Sequence, residues 1–292
     1  IHFEPGLNEE IAATAVAGSQ QTAIAGAARY QGVFGLWYAK NPGVDRAGDA
    51  LKHGNAAGTS ALGGVLAFSG DDPGATSSSM PNQCDQAFAS ALMPVISPAT
   101  VQEIIEFGLM GYALSRYSGL WVGVKTVADV VESSAVIAVE PDRPAIAYPE
   151  NYALPAGGLA IRLSESRWDQ DARLLEQRLP AARAFARANR LDRIVFGCAR
   201  PRFGIVASGK AYLDVRQALD ALGIDQTSAE NLGLGLYKVA MPWPLEPQSM
   251  REFALGLEEI VVVEERRSFI EMQLKEMAYN WPAQQRPVIV GK

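Results

Sequence analysis

The chain has 292 residues, which at roughly 100–200 residues per domain is room for about two domains. Hydrophobic residues make up 48% and charged residues 20%, with a formal net charge of −6. That composition excludes a disordered chain, a collagen and a disulfide-stapled miniprotein, and it offers no basic face to a nucleic acid.

A helical pattern runs over residues 8–28. Asn8 suits the N-cap, Glu9 and Glu10 occupy the first turn, where the helix dipole favours acids, and the small residues Ala12, Ala13, Ala15, Ala17 and Gly18 predict a helix packed close and buried. Residues 32–38 and 64–69 read as strands without polar alternation, as expected of a parallel sheet covered on both faces. Two Gly-rich polar loops follow them, at 40–60 and 70–86. Loops at the carboxyl ends of parallel strands are where α/β proteins hold ligands. Residues 98–117 have amphipathic helical spacing (Val101, Ile104, Ile105, Leu109, Ala113), and 120–124 a third short strand.

Pro141, Pro144, Pro149 and Pro155 mark a linker, and 169–190 is an Arg-rich helix whose charges read as a solvated face. From Arg193 onward strands at 203–208, 236–241, 260–264 and 288–290 alternate with helices at 210–222, 249–257 and 269–279. The alternation predicts an α/β fold, two three-layer α/β domains with mostly parallel sheets. The chain opens on Ile1 rather than Met and closes just after a strand, so it reads as a piece of a longer polypeptide.

Two cysteines, Cys84 and Cys198, and two histidines, His2 and His53, are too few for a four-thiolate centre or a histidine cluster, so no metal site is expected here. Both thiols read as buried and free in a reducing compartment, which implies the cytoplasm. No apolar stretch approaches the ~20 residues of a membrane span, and nothing reads as a signal peptide. The run Gly204-Ile205-Val206-Ala207-Ser208-Gly209-Lys210-Ala211 falls one residue short of a P-loop: Ala211 stands where Ser or Thr would hold magnesium, and 204–208 read as strand. It is expected to be a tight strand-to-helix turn. A dinucleotide fingerprint, a G-x-S-x-G elbow and H-E-x-x-H are all missing from the sequence. Taken alone, Glu9 reads as an acid in contact with a helix dipole.

Several stretches together carry a family resemblance. They are Phe3-Glu4-Pro5-Gly6-Leu7-Asn8-Glu9-Glu10; GVFGLWYAKNPGVDRAGDALKHGNAAG at 32–58; Gly70-Asp71-Asp72-Pro73 with Ser77-Ser78-Ser79; RYSGLWVGVK at 116–125; VESSA at 131–135; and GIVASGKAYLDVRQAL at 204–219. Over nearly its whole length the chain resembles the fused bacterial indolepyruvate:ferredoxin oxidoreductases, thiamine-diphosphate enzymes of the 2-oxoacid:ferredoxin oxidoreductase superfamily.

The resemblance implies that residues 1–135 are a thiamine-diphosphate pyrimidine-binding domain lacking its first strand and helix. Residues 136–192 would be a partly helical connector and 193–292 a transketolase-C-terminal-like domain. It places the family's cofactor-binding and catalytic glutamate on Glu9, through the pair Asn8-Glu9, with Glu4 and Glu10 as the next acids. A carboxylate at N1′ of the aminopyrimidine favours the imino form whose nitrogen deprotonates the thiazolium. Substrate candidates are Lys40, Asn41, Asp45, Arg46 and His53 in the first loop and Ser77, Ser78, Asn82 and Gln83 in the second, where a cation would pair with the substrate carboxylate. Read locally, Asp45 and Arg46 make a loop ion pair and Asn41 a turn. Archaeal relatives carry an S-S-Q-N-E-Q-D-S-R-like pattern in the second loop. This chain has no arginine after Asp85.

The implied reaction is oxidative decarboxylation of an aryl 2-oxo acid such as indolepyruvate, with coenzyme A and ferredoxin as partners, in a homo-oligomer that binds neither nucleic acid nor membrane. The Mg²⁺ site and the [4Fe-4S] clusters would lie outside these residues, in remaining domains of the same polypeptide. The alternatives are a catalytically silent structural or assembly piece, or another thiamine-dependent 2-oxo acid decarboxylase or oxidoreductase.

Overall fold

A computed structural model describes residues 1–26, 28–162 and 164–292. Elements are numbered in chain order. The first is α1 (Glu9–Gln21), capped by Asn8, whose Oδ1 accepts the Ile11 N–H at 2.9 Å. It stops short of the expected residue 28, and Ala27 lies outside the described residues. Only Ala13 and Gln20 of α1 are buried. Its methyl side chains remove too little apolar area from water to sink the whole helix.

Four parallel strands form the first sheet: β1 (Phe34–Lys40), β2 (Gly64–Asp71), β3 (Val95–Ile96) and β4 (Trp121–Val127), in the order β1-β2-β4-β3. Phe34 lies opposite Gly64, and Val65 opposite Trp121. The region expected to be a loop at 40–60 is instead two helices, α2 (Asn41–Arg46) and α3 (Gly48–Ala57). Pro42, the second residue of α2, brings a φ preset for a helix to its first turn. Gly54 is there for packing: a Cβ on it would come within 2.6 Å of the Trp121 ring. With α1 these helices cover one face of the sheet over Trp37, Leu51, Val65 and Trp121. A short α4 (Asp85–Ser90) adds Phe88 to that core.

The other face meets α5 (Val101–Ser118), where Phe107 and Leu114 pack on Leu66 and Val122. Thr100 caps α5 and Gly119 ends it at φ +74°. β1 departs from expectation. It is covered on one face only: Trp37 is buried, while Phe34, Leu36 and Tyr38 are 52, 49 and 62% exposed.

After α6 (Ala128–Val131) the chain forms neither helix nor strand, among the described residues, until α7 (Arg167–Arg173). A π-helical turn, Leu174–Arg178, then leads into α8 (Leu179–Ala188). The Arg-rich face expected to be solvated is in part buried. The Arg178 guanidinium, fully covered, donates to the carbonyls of Ala56 (2.8 Å), Leu159 (3.0 Å) and Ala57 (3.1 Å). Two of these are carbonyls at the C-terminus of α3, where a cation is favoured.

The second sheet runs β5 (Arg193–Phe196), β7 (Leu234–Val239), β6 (Phe203–Ser208), β8 (Glu259–Val263), β9 (Val288–Val290), with only β5 antiparallel. On one side α9 (Gly209–Ala221) packs Tyr212 and Leu219 on Ala207 and Leu236, with Ala229 of α10 (Gln226–Leu232) beside them. On the other, α11 (Pro247–Ala254) and α12 (Ile270–Tyr279) place Phe253 and Leu274 on Val206 and Ile260. β6 runs through Ser208 and α9 starts at Gly209, φ +53°, so the P-loop-like run is a direct strand-to-helix turn. The two sheets join where Trp243 O accepts the Val95 N–H at 2.7 Å and Ala240 O the Ser97 N–H at 2.8 Å, beside a buried Glu103–Lys238 ion pair. Cys84 is buried, but Cys198 is only half-buried, contrary to expectation.

Candidate functional site

The carboxyl ends of β1, β2 and β4 gather most of the residues singled out above. Glu9 sits in the first turn of α1, and its backbone carbonyl accepts the Trp37 indole N–H at 3.0 Å. Its side chain is 38% exposed, with Oε2 3.6 Å from Arg46 Nε. Arg46 therefore pairs with Glu9, and not with its neighbour Asp45. Beneath Glu9 lies Gly43 of α2, where an added Cβ would stand 2.7 Å from Glu9 Cγ and 3.1 Å from its Oε1. The Asn8 side-chain oxygen is engaged in the helix cap.

On the opposite face of β1, the Lys40 ammonium donates to the Ser77 carbonyl. It borders an open cleft of about 1140 Å³, counting space continuous with solvent, walled by Leu36, Tyr38, Phe68 and Ser77. Asn41 faces inward: it is buried and donates to Asp71 Oδ1 at 2.7 Å. His53 stands apart on α3, 82% exposed and 3.7 Å from Asp49. Ser78 gives its N–H to Asp72, and its Oγ is buried without a hydrogen-bond partner among the described residues. The Asn82 amide turns back on the Met80 carbonyl at 2.7 Å.

Sequence reading missed the buried charges that fix the start of α2 and the 70–86 loop. Lys125, in the wholly buried β4, lies 2.7 Å from Asp85 Oδ2 and 3.8 Å from Asp71 Oδ2. Asp71 also accepts from Ser69 Oγ and the Cys84 N–H, both at 3.0 Å. Burial pushes the Asp71 carboxyl up, with Lys125 pulling against it. Burial works against the Lys125 charge too, but Asp85 and Asp71 more than offset it and hold the ammonium charged. Burial and the two aspartates push the Cys84 thiol well up. Asp72 organises the second loop: hydrogen bonds from the Ser77, Thr76 and Ser78 amides hold its carboxyl down to about 2. The signal for this network was a lone charged residue, Lys125, in a mostly apolar strand, which must find a partner when buried.

Among the described residues no group of three or more His, Cys, Asp and Glu side chains is arranged to hold a metal ion, and no helix is long and apolar enough to cross a membrane. Residues 192–292 match the family "Indolepyruvate ferredoxin oxidoreductase middle domain". The chain is 26% identical over 283 residues to the indolepyruvate oxidoreductase subunit IorA of Methanothermobacter thermautotrophicus, covering 95% of this chain and 41% of that one. The same subunit of Pyrococcus abyssi is 25% identical over 292 residues, with 96 and 41% covered. The chain thus spans about 41% of the length of these curated relatives.

Two solved structures share the fold. The 2-oxoglutarate:ferredoxin oxidoreductase of Magnetococcus marinus aligns with TM-score 0.60 at 14% identity, covering 98% of this chain and 53% of that one. A split-gene transketolase, an inactive β4 tetramer, aligns with TM-score 0.56 at 14% identity, covering 99 and 74%. Residues 192–292 thus match the indolepyruvate ferredoxin oxidoreductase middle-domain family, and similarity to the IorA subunits runs along 95–96% of the chain.

Proposed function

We propose that this chain supplies the aminopyrimidine-binding half of a thiamine-diphosphate site. In this reading it takes part in the oxidative decarboxylation of an aryl 2-oxo acid such as indolepyruvate, coenzyme A receiving the acyl group and ferredoxin the electrons, within a homo-oligomer. Residues 1–135 then act as the pyrimidine-binding domain, 136–192 as connector and 193–292 as the transketolase-C-terminal-like domain.

The observation that carries this reading is Glu9: a carboxylate open on one side, at the carboxyl end of a parallel sheet, with a glycine beneath it. The residues fit the group. A Cβ at Gly43 would fill the cradle beside Glu9 Oε1, and a carboxylate is the acceptor that N1′ requires. Glu9 would be the group that shares a proton with N1′, its carboxylate accepting the N1′–H hydrogen bond of the imino form. The Trp37 indole and the Asn8 cap fix the start of α1, so the carboxylate moves little. Lys40 offers a cation to the substrate carboxylate at the rim of the apolar cleft. When bound, the cofactor supplies a nucleophilic carbon for the 2-oxo group and a sink for the electrons left as carbon dioxide departs. The diphosphate, its Mg²⁺ and the [4Fe-4S] clusters fall to other residues. Cys84, sunk in the core with its thiol pushed up by burial, is unsuited to ligate iron.

In the complete enzyme, Glu9→Gln is expected to lose most decarboxylation while retaining cofactor. Near-normal turnover would remove Glu9 from the mechanism. A second reading draws on the bare apolar face of Phe34, Leu36 and Tyr38, which suits a chain that is silent without a partner. It expects thiamine diphosphate with Mg²⁺ to leave the melting temperature of the isolated chain unchanged, and a rise of several degrees refutes it.

A further inference from the structure

We propose that Gly43 and Arg46 of α2 are positioning residues for the Glu9 carboxylate, an inference that rests on Glu9 being the acid that holds the cofactor. Local reading would pair Arg46 with Asp45, or point it at the substrate. The structure instead sets its Nε 3.6 Å from Glu9 Oε2. Gly43 and Arg46 are three residues apart on a helix and therefore share a face.

Glu9 is fixed at three points. Trp37 holds its backbone carbonyl, Gly43 leaves room for its stem, and Arg46 draws one carboxylate oxygen aside. A Cβ at position 43 would stand 2.7 Å from Glu9 Cγ and 2.8 Å from the Ala39 Cβ. Alanine there would suit the helix better than glycine, so the requirement comes from what lies against α2 and not from α2 itself. The seat is stiff, since α2 starts directly after β1 and Pro42 fixes its first turn.

The test is a cycle on the complete enzyme, read by equilibrium titration with thiamine diphosphate in the presence of Mg²⁺. Gly43→Ala is expected to weaken cofactor binding by about tenfold. In a Glu9→Ala background, where the Cγ is gone, its effect is expected to shrink to less than about twofold. Arg46→Gln is expected to weaken binding about two- to fivefold, with Arg46→Lys restoring part of it, as befits an exposed ion pair. An equal loss from Gly43→Ala in both backgrounds would overturn the seat. The adjacent Ala39 serves as control: Ala39→Gly combined with Gly43→Ala keeps the loss only if Glu9 is what the new methyl displaces. Should Gly43→Ala fail to fold, the Arg46 variants, at a 63% exposed side chain, still decide: no change in affinity from Arg46→Gln overturns the seat. Glu9→Ala that leaves affinity untouched sinks the reading of Glu9 itself. Affinity lost in Glu9→Ala but intact in both α2 variants sinks only the seat.

Discussion

Lys125→Met tests the buried charge network. Lys125 is 8% exposed, and methionine fills nearly its volume, so packing changes little. What is lost is the only cation touching two carboxylates, Asp71 and Asp85, each 2% exposed, among the described residues. Removing one partner of a buried ion pair costs about 3–5 kcal/mol, because the charge left behind is neither solvated nor paired. For a chain of this size that is a fall in melting temperature of roughly 10 °C. The pH dependence fixes the sign. In the native protein burial already pushes Asp71 up, and Lys125 restrains it. Without Lys125 the folded pKa of Asp71 moves further above the unfolded 3.8, so the folded state binds more protons than the unfolded one and stability falls as pH rises. The deficit should therefore be larger at about pH 8 than at about pH 5, when thermal unfolding is followed by far-ultraviolet circular dichroism. Asp71→Asn combined with Lys125→Met should recover part of the loss. A melting temperature within about 3 °C of native at both pH values would refute the argument.

Two further predictions follow from the same physics. Asp192 is buried, its Oδ1 accepts the Ala240 and Met241 amides at 2.7 and 2.9 Å, and burial nonetheless pushes its carboxyl up to about 7. Raised above the unfolded 3.8, it costs stability as pH rises through that window, on the order of 4 kcal/mol in full. Asp192→Asn keeps the acceptor and should flatten the stability profile between about pH 4 and about 7; an unchanged profile from urea unfolding would exclude it. Asp72 is the opposite case, held down to about 2 by the amides of Ser77, Thr76 and Ser78, so its contribution is present above 3.8 and lost as pH falls toward 2. Asp72→Ala should lower melting by a few degrees near neutral pH, with the deficit shrinking as pH falls toward 2, and speed proteolytic cleavage between residues 73 and 82 by about tenfold. A native cleavage rate would refute that.

How much was legible in the sequence depends on whether the reason for a residue is local. The α/β class, the apolar strands and Asn8 as a cap were readable, because strand burial and capping are written into adjacent residues. The helices α2 and α3 were not: Gly43 and Gly54 look like loop glycines, and what they make room for, Glu9 and Trp121, is far away in the chain. β3, at two residues, is too short to show a period. For the candidate site, Glu9 came from family resemblance, since a lone acid in a first turn has an ordinary explanation in the helix dipole. Arg46 was readable as a cation but not as the partner of Glu9, and Asn41 as polar but not as buried.

The position of α2 ties these parts together. Its first residue, Asn41, is held by Asp71, and Asp71 is kept in place by Lys125, Ser69 and the Cys84 amide. Its last residue, Arg46, reaches Glu9, and Gly43 between them lies against the Glu9 stem. A six-residue helix cannot hold its own orientation by hydrogen bonds alone, because a single turn is a costly nucleus with few internal bonds. Its direction comes from β1 directly before it, from Val44 sunk in the core, and from its two polar attachments. The placement of the Glu9 carboxylate at the surface therefore depends in part on a charge balance at the core of the sheet, to which no residue of α1 contributes. The buried lysine and the exposed glutamate belong to one arrangement, joined through Asn41, and a change at Lys125 that spares the fold would still loosen the seat of Glu9.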